Sequence, residues 1–159
     1  MTFLSPSPLP EDIRLKIVGL LEPVVLALNG IEGIARKAHW NVKGPMFGTL
    51  HPLFGELRKA AYDYADVVAE HCSIDLGIPV DGDHVDAAER SSITAMPKTL
   101  TQGRDLARAV CDRVTAAIVM VNAPKAELVA MGDDEGQQKL IDVSMALTDI
   151  SGKILAHIC

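Results

Sequence analysis

The sequence predicts an all-α protein built as an antiparallel bundle of four main helices. Apolar residues recur at steps of three and four along four segments, and breaks rich in Gly and Pro separate these segments. No stretch of useful length alternates apolar and polar residues, so no strand is predicted. The length of 159 residues fits one domain. We expect a flexible leader over residues 1–10 and the bundle over residues 11–159.

The first helix is predicted from one apolar face that runs through residues 13–38. The break at 41–45 ends it. Pro23 should kink or restart this helix, because an interior proline removes one backbone hydrogen bond. The apolar face consists of Ile13, Ile17, Leu20, Val24, Leu28, Ile31, Ala35 and Ala38.

The second helix is predicted to begin near Thr49 as its N-cap and to run to about Leu76. Gly77 is the expected stop, since glycine commonly ends helices. Residues 77–97 carry Gly, Pro and Asp and predict a connection in which residues 85–90 form a short extra helix.

Two further helices complete the predicted bundle. The third follows Pro97, and Pro124 should kink or end it. The glycines and acidic residues at 132–136 predict another break before the last helix. The apolar positions of these two helices are Leu106, Val110, Val114, Ile118, Val121, Leu140, Val143, Leu147, Ile150 and Ile154.

Charge and composition exclude several classes of protein. Fifteen Lys and Arg against 21 Asp and Glu give a net charge of -6, which argues against a basic nucleic-acid binder. The N-terminal residues lack a basic region followed by an apolar one, so we expect no secretory signal. The most apolar stretch, residues 17–28, is interrupted by Glu22 and Pro23, so we expect no membrane span. Together these features predict a cytoplasmic protein.

The three cysteines agree with a reducing compartment. They are odd in number, far apart and without a CxxC motif, unlike a disulfide framework. We expect Cys72 and Cys111 to be inert small hydrophobic residues and Cys159 to be an exposed terminal thiol.

Two histidines and two carboxylates on the first two helices form the candidate site. His39 lies near the end of the first helix and His51 in the first turns of the second, so a short connection makes the two imidazoles neighbours. Asp66 and Glu70 are one helical turn apart, a spacing at which two carboxylates can share a metal ion.

The length of the second helix separates these two pairs. At about 1.5 Å per residue, His51 and Asp66 lie about 22 Å apart along the axis, so one ion cannot contact both within one chain. Either the groups are unrelated, or two half-sites meet across an interface between twofold-related copies. Taken singly, a histidine at a helix end is more often a surface or capping residue, and a carboxylate pair at this spacing is ordinarily solvated.

A longer pattern around these residues resembles the Dps family of mini-ferritins, in the ferritin-like superfamily. The family pattern is His-Trp-Asn-Val-x-Gly, then Phe-x-x-Leu-His, then Asp-x-x-x-Glu. The resemblance covers residues 35–80, and the remaining helices agree in number and length only. The matching residues are His39, Trp40, Asn41, Val42, Gly44, Phe47, Leu50, His51, Asp66, Glu70, Leu76 and Gly77.

The resemblance implies a hollow homo-dodecamer of ferritin-like four-helix subunits built from twofold dimers. Ferroxidase centres would lie between subunits, with His39 and His51 from one chain and Asp66 and Glu70 from the other, and with Trp40 beside them. The substrates would be iron(II) and, preferentially, hydrogen peroxide. Ferric iron would be stored as mineral in the cavity, which protects against hydroxyl radicals. The mixed nitrogen and oxygen donors suit iron(II), although zinc or manganese would also fit.

One position departs from the family pattern. Members usually have an aspartate four residues after the second histidine, where this chain has Gly55. Glu56 points about 100° away around the helix and is a poor substitute. The resemblance therefore leaves the second iron position without its usual ligand.

The ends of the chain argue against direct DNA binding. Several family members bind DNA through a Lys-rich N-terminal extension, whereas the first 16 residues here contain Arg14 and Lys16 against Glu11 and Asp12. An acidic shell repels DNA and attracts cations.

Three other kinds of helical-bundle protein have patterns that can be compared with this sequence. An ordinary ferritin would carry Glu-x-x-His pairs, which the sequence lacks. A phosphotransfer bundle would carry His-x-x-Lys-Gly in mid-helix, whereas the stretch from His39 to Gly44 is one residue too long and lies at a helix end. A non-catalytic nucleoid or metal-binding shell protein of the same fold, with a degraded ferroxidase centre, stays open. The remaining histidines, His71, His84 and His157, are interpreted as surface or loop residues, and residues 81–84 could bind a stray cation.

Overall fold

The computed structural model describes residues 4–159, which form an antiparallel helical bundle. Four long helices, α1, α2, α4 and α6, build it; α3 lies between α2 and α4, and α5 between α4 and α6. No strand occurs within residues 4–159, and the prediction of a four-helix bundle with a short extra helix is confirmed. The helices are α1 (Glu11–Asn41), α2 (Phe47–Glu70), α3 (His84–Arg90), α4 (Gly103–Asn122), α5 (Lys125–Ala130) and α6 (Asp134–Ala156).

The core lies between the apolar faces of the four long helices, and α1 packs chiefly on α2. By length and composition α1 is apolar enough to cross a membrane, in contrast to the expectation from sequence. However, 61% of its most apolar stretch is buried inside the bundle, and this burial accounts for its composition. Core residues with no exposed surface include Ile17, Leu28, Ile31, Leu50, Phe54, Leu57, Val114, Leu140 and Leu147.

The helix α1 runs without interruption through Pro23, so the restart considered from sequence does not occur. Buried residues lie on both sides of the proline, with Leu21 before it and Val24 and Val25 after it. Packing of this face on the bundle outweighs the one missing hydrogen bond.

The start of α2 lies three residues before the predicted position. Met46, not Thr49, is the N-cap, and no side chain caps the helix. Gly44 adopts a φ of 89°, and the Phe47 amide donates to its carbonyl at 3.0 Å. This tight turn fixes the hairpin and begins the helix without a capping side chain.

The end of α2 is a π-helical turn over His71–Asp75, after which Gly77 adopts a φ of 67°. The predicted stop at Gly77 is therefore confirmed. The wider turn gives residues 71–75 a different rotation about the helix axis from the one that a regular α-helix would give.

The later boundaries also differ in detail from the prediction. The helix α4 begins only at Gly103, and it ends before Pro124, as predicted. The helix α6 begins at Asp134, and Asp133 caps it by accepting from the Gly136 amide. The break predicted over 132–136 is therefore shorter than expected.

Residues 4–10 form no helix and contact the body of the bundle. The Ser5 hydroxyl donates to the Asp75 carbonyl at 2.6 Å, and the Arg14 Nε donates to the Leu9 carbonyl at 3.2 Å. The first three residues of the predicted leader lie outside the described residues, and the flexibility of the leader stays a prediction.

Candidate functional site

The hairpin between α1 and α2 brings His39 and His51 into direct contact. Their rings stack with centroids 3.7 Å apart and planes 22° apart. The His39 Nδ1–H donates to the His51 carbonyl at 2.7 Å, and the His51 Nδ1–H donates to the His39 carbonyl at 2.8 Å. The proximity predicted from the short connection is thus observed.

These two hydrogen bonds fix the tautomer of each neutral ring. A carbonyl oxygen can only accept, so each Nδ1 carries the proton and each Nε2 carries a lone pair. Metal-ligating histidines typically have this arrangement, in which one ring nitrogen is held by a backbone carbonyl and the other is left for the ion. Both rings are half-buried, so the pair is held firmly and still reaches solvent.

Gly55 faces this histidine pair from the next turn of α2. A Cβ at this position would lie 3.4 Å from both Cε1 and Nδ1 of His39. A side chain here would therefore touch the imidazoles, whereas Glu56 is exposed. A cavity of about 250 Å³ opens beside Gly55 and is lined by Arg58, Lys59 and Tyr62.

Several large apolar side chains near this end of the hairpin are exposed. Trp40 is 69% exposed, with the Arg36 guanidinium 5.6 Å above its ring. Phe47 is 48% exposed and stacks on His51, with centroids 4.8 Å apart. Exposed aromatic side chains around a polar centre are typical of surfaces that a partner covers.

The two carboxylates lie further along α2 and are exposed. Neither Asp66 nor Glu70 forms a hydrogen bond or ion pair with any residue in 4–159. Because α2 is continuous, the separation of about 22 Å between His51 and Asp66 holds. Within one chain, the structure brings the two histidines together and does not bring the carboxylates to them.

A buried cluster surrounds His71, and the prediction that His71 is a surface or loop residue is wrong. His71 is only 2% exposed. Its Nε2–H donates to Asp133 at 3.0 Å and its Nδ1–H donates to Asp75 at 2.9 Å. The spacing of four residues between His71 and Asp75 is visible in the sequence. The contact with Asp133 cannot be seen there, because the two residues are 62 positions apart.

The same contacts shift the pKa values of the cluster. Burial alone would lower the pKa of His71, but the hydrogen bonds to Asp133 and Asp75 outweigh burial and raise it above 6.5. The hydrogen bond from His71 lowers the pKa of Asp75, and Lys139 adds to this effect. The cluster therefore favours an imidazolium between two carboxylates.

The other predicted side chains lie as expected. His84 and His157 are exposed. Cys72 and Cys111 are buried, and Cys159 is exposed. In the segment 81–84 the carboxylates serve structural roles, since Asp83 caps α3 and Asp81 pairs with Arg90.

Comparisons with known proteins agree with this architecture. No family model matches the chain. The DNA protection during starvation protein of Brevibacillus brevis is 30% identical over 106 residues, which cover 65% of this chain and 68% of that protein. The protein of the same name from Agrobacterium fabrum is 22% identical over 145 residues, which cover 91% of this chain and 86% of that protein.

Solved structures are similar over almost the whole chain. Dps from Microbacterium arborescens, in its high iron form, superposes with a TM-score of 0.87 at 30% identity and covers 98% of both chains. DpsC from Streptomyces coelicolor superposes with a TM-score of 0.90 at 21% identity over 100% of this chain and 95% of that one, a likeness of fold. On these grounds, the chain belongs to the Dps family.

Proposed function

We propose that this chain is a cytoplasmic mini-ferritin that oxidises iron(II) with hydrogen peroxide and stores the ferric product in a hollow homo-dodecamer. Each ferroxidase centre is shared by two subunits of a twofold dimer. His39 and His51 come from one subunit, and Asp66 and Glu70 come from the other. Twelve chains of 17.0 kDa give an assembly of about 200 kDa, which light scattering measures.

One observation carries this proposal. The histidine pair presents two Nε2 lone pairs, while the two carboxylates without partners lie further along the same helix, Asp66 about 22 Å and Glu70 about 28 Å from His51. A twofold axis across α2 places residue i of one chain against residue j of the other, so two incomplete half-sites become two complete centres. The exposed Trp40 and Phe47 support the same contact, because the partner would cover them.

The proposed donors suit the proposed chemistry. Two imidazole nitrogens and two carboxylate oxygens bind iron(II) and, with two negative charges, also stabilise iron(III). Two iron(II) ions give one electron each to one hydrogen peroxide, its O–O bond breaks, and two protons complete two water molecules. Two-electron reduction releases no hydroxyl radical. Because Gly55 supplies no side-chain ligand, the second iron would be held weakly.

The function is tested by replacing one proposed ligand. The His51→Ala variant should lose rapid iron(II) oxidation under hydrogen peroxide, measured by stopped-flow absorbance of the ferric product. The His84→Ala variant, which removes an exposed histidine from α3, should keep the native rate. A native rate in His51→Ala, with the assembly intact by light scattering, would contradict the proposal.

Gly55 also favours a second candidate function, a non-catalytic shell or nucleoid protein of the same fold. Such a protein would bind metal without rapid oxidation or would retard DNA. Iron-oxidation rate and DNA mobility, measured on one preparation, separate the two functions. The net charge of -6 favours the ferroxidase over the DNA-binding alternative.

A further inference from the structure

We propose that His71, Asp75 and Glu135 form a second divalent-cation site that lies within one chain and is separate from the proposed ferroxidase centre. Each residue offers one ligand atom, and these three atoms lie within 4.8 Å of one another. The cluster joins the π-helical turn after α2 to the first turn of α6.

The orientation of His71 is the first support for this site. The buried Asp133 accepts from the Nε2–H through both carboxylate oxygens, at 3.0 and 3.1 Å. Asp133 is itself fixed, since it also accepts from the Gly136 amide at 3.0 Å. A carboxylate that holds one ring nitrogen while the other faces the ion is the usual second shell of a metal-binding histidine.

The spacing of the ligands is the second support. The His71 Nδ1 and the Asp75 Oδ2 lie 2.9 Å apart. Bonds of about 2.0 to 2.2 Å at a tetrahedral angle place two ligand atoms roughly 3.4 Å apart, so a small movement admits an ion. The ion takes the place of the Nδ1 proton, which leaves to solvent, while the bond to Asp133 is kept.

Access and charge are the third support. The cluster opens into a cavity of about 470 Å³, which Pro6, Pro8 and Leu9 line from the leader side. Asp75 is 42% exposed and Glu135 is exposed, so water can complete the coordination. Lys139 lies 3.3 Å from Asp75 and must move aside when an ion binds.

The donor set indicates the class of ion. One imidazole nitrogen, two carboxylate oxygens and water suit a first-row divalent cation such as zinc(II), whereas magnesium and calcium prefer oxygen donors alone. Along α2 this cluster lies about 30 Å from the histidine half-site of its own chain, but it lies next to the carboxylate half-site, since Glu70 directly precedes His71. Glu70, the neighbour of His71, is exposed, while His71 is buried in its own subunit.

Zinc binding to the full-length assembled protein tests the site. The number of zinc(II) ions bound per chain in equilibrium dialysis should fall by one in Glu135→Gln and in Asp75→Asn. The control Glu89→Gln removes the same charge from an exposed position on α3 and should bind as many ions as the native chain. Cobalt(II) should give a visible absorption band that Glu135→Gln loses and Glu89→Gln keeps.

Two outcomes would overturn the proposal. One is an unchanged zinc count in Glu135→Gln, and the other is an equal loss in Glu89→Gln. Asp133→Asn adds a test of orientation, since the loss of such a second-shell carboxylate should weaken zinc binding by about 10- to 100-fold. Because Glu135 is exposed, its substitution leaves the fold intact. All these variants keep His39, His51, Asp66 and Glu70, and zinc binding is measured without iron, so their results do not depend on iron oxidation.

Discussion

Mixing two variants that should each be inactive tests the proposed shared centre most directly. The His51→Ala variant keeps the carboxylates but lacks one nitrogen ligand, and Glu70→Ala lacks one carboxylate. Alone, each variant should lose rapid iron oxidation, because every centre in its assembly lacks one ligand. The experiment dissociates both, mixes them in equal amounts and reassembles them.

The expected recovery follows from the geometry of α2. If His51 and Asp66 belong to one centre, their separation of about 22 Å within a chain requires that the centre take its histidines and its carboxylates from different chains. Random pairing makes about half of the twofold pairs mixed. In a mixed pair one centre lacks both ligands and the other is intact, so activity should return to about a quarter of the native rate.

The assay is the initial rate of iron(II) oxidation, with mixing checked by native mass spectrometry. The control is each variant taken through dissociation and reassembly with itself, which should stay inactive. A site contained within one chain predicts no recovery at all. Mixed assemblies without activity would refute the shared centre. The loss of activity in each single variant would then need a different cause.

Three further outcomes are expected. Metal-free protein should not retard plasmid DNA at about 0.15 M salt, because the net charge is -6; clear retardation would contradict this. Gly55→Asp should tighten the binding of a second iron(II) per centre in a titration, because a Cβ at position 55 lies 3.4 Å from His39. Gly55→Ala, which adds no ligand, should not. Two equally tight irons in the native chain would show that another ligand fills the place. Burial raises the pKa of Cys72 to about 12 and also raises the pKa of Cys111. A thiol reagent at neutral pH should therefore modify Cys159 alone until the protein unfolds. Modification of a second cysteine in the folded protein would contradict this prediction.

The helices and their buried faces could be predicted because they depend on local periodicity. Ile17, Leu28 and Leu147 lie in apolar repeats, and all three are fully buried. The start of α2 could not be predicted in the same way. Thr49 is a favourable cap by type, yet the turn at Gly44 begins the helix earlier, and turn geometry outweighs the local preference of one side chain.

The candidate site, like the helices, could be predicted from sequence only in part. The contact between His39 and His51 follows from a short hairpin, which sequence reveals. Their hydrogen bonds to each other's carbonyls depend on backbone geometry, and sequence does not reveal that. His71 was misassigned because Asp133, the partner that buries and holds it, is 62 residues away and meets it only when α6 packs against α2.

The acceptors in the histidine pair are main-chain atoms, and this has a consequence for how such a centre can change over time. Replacing either imidazole leaves both carbonyls in place, so the surviving ring keeps its tautomer and its direction. The backbone of the hairpin, and not the partner side chain, sets the orientation of each imidazole ring. Ligands can therefore be lost or regained one at a time, each step giving a correctly aimed donor, whereas a single inserted residue between positions 42 and 46 would displace both acceptors at once.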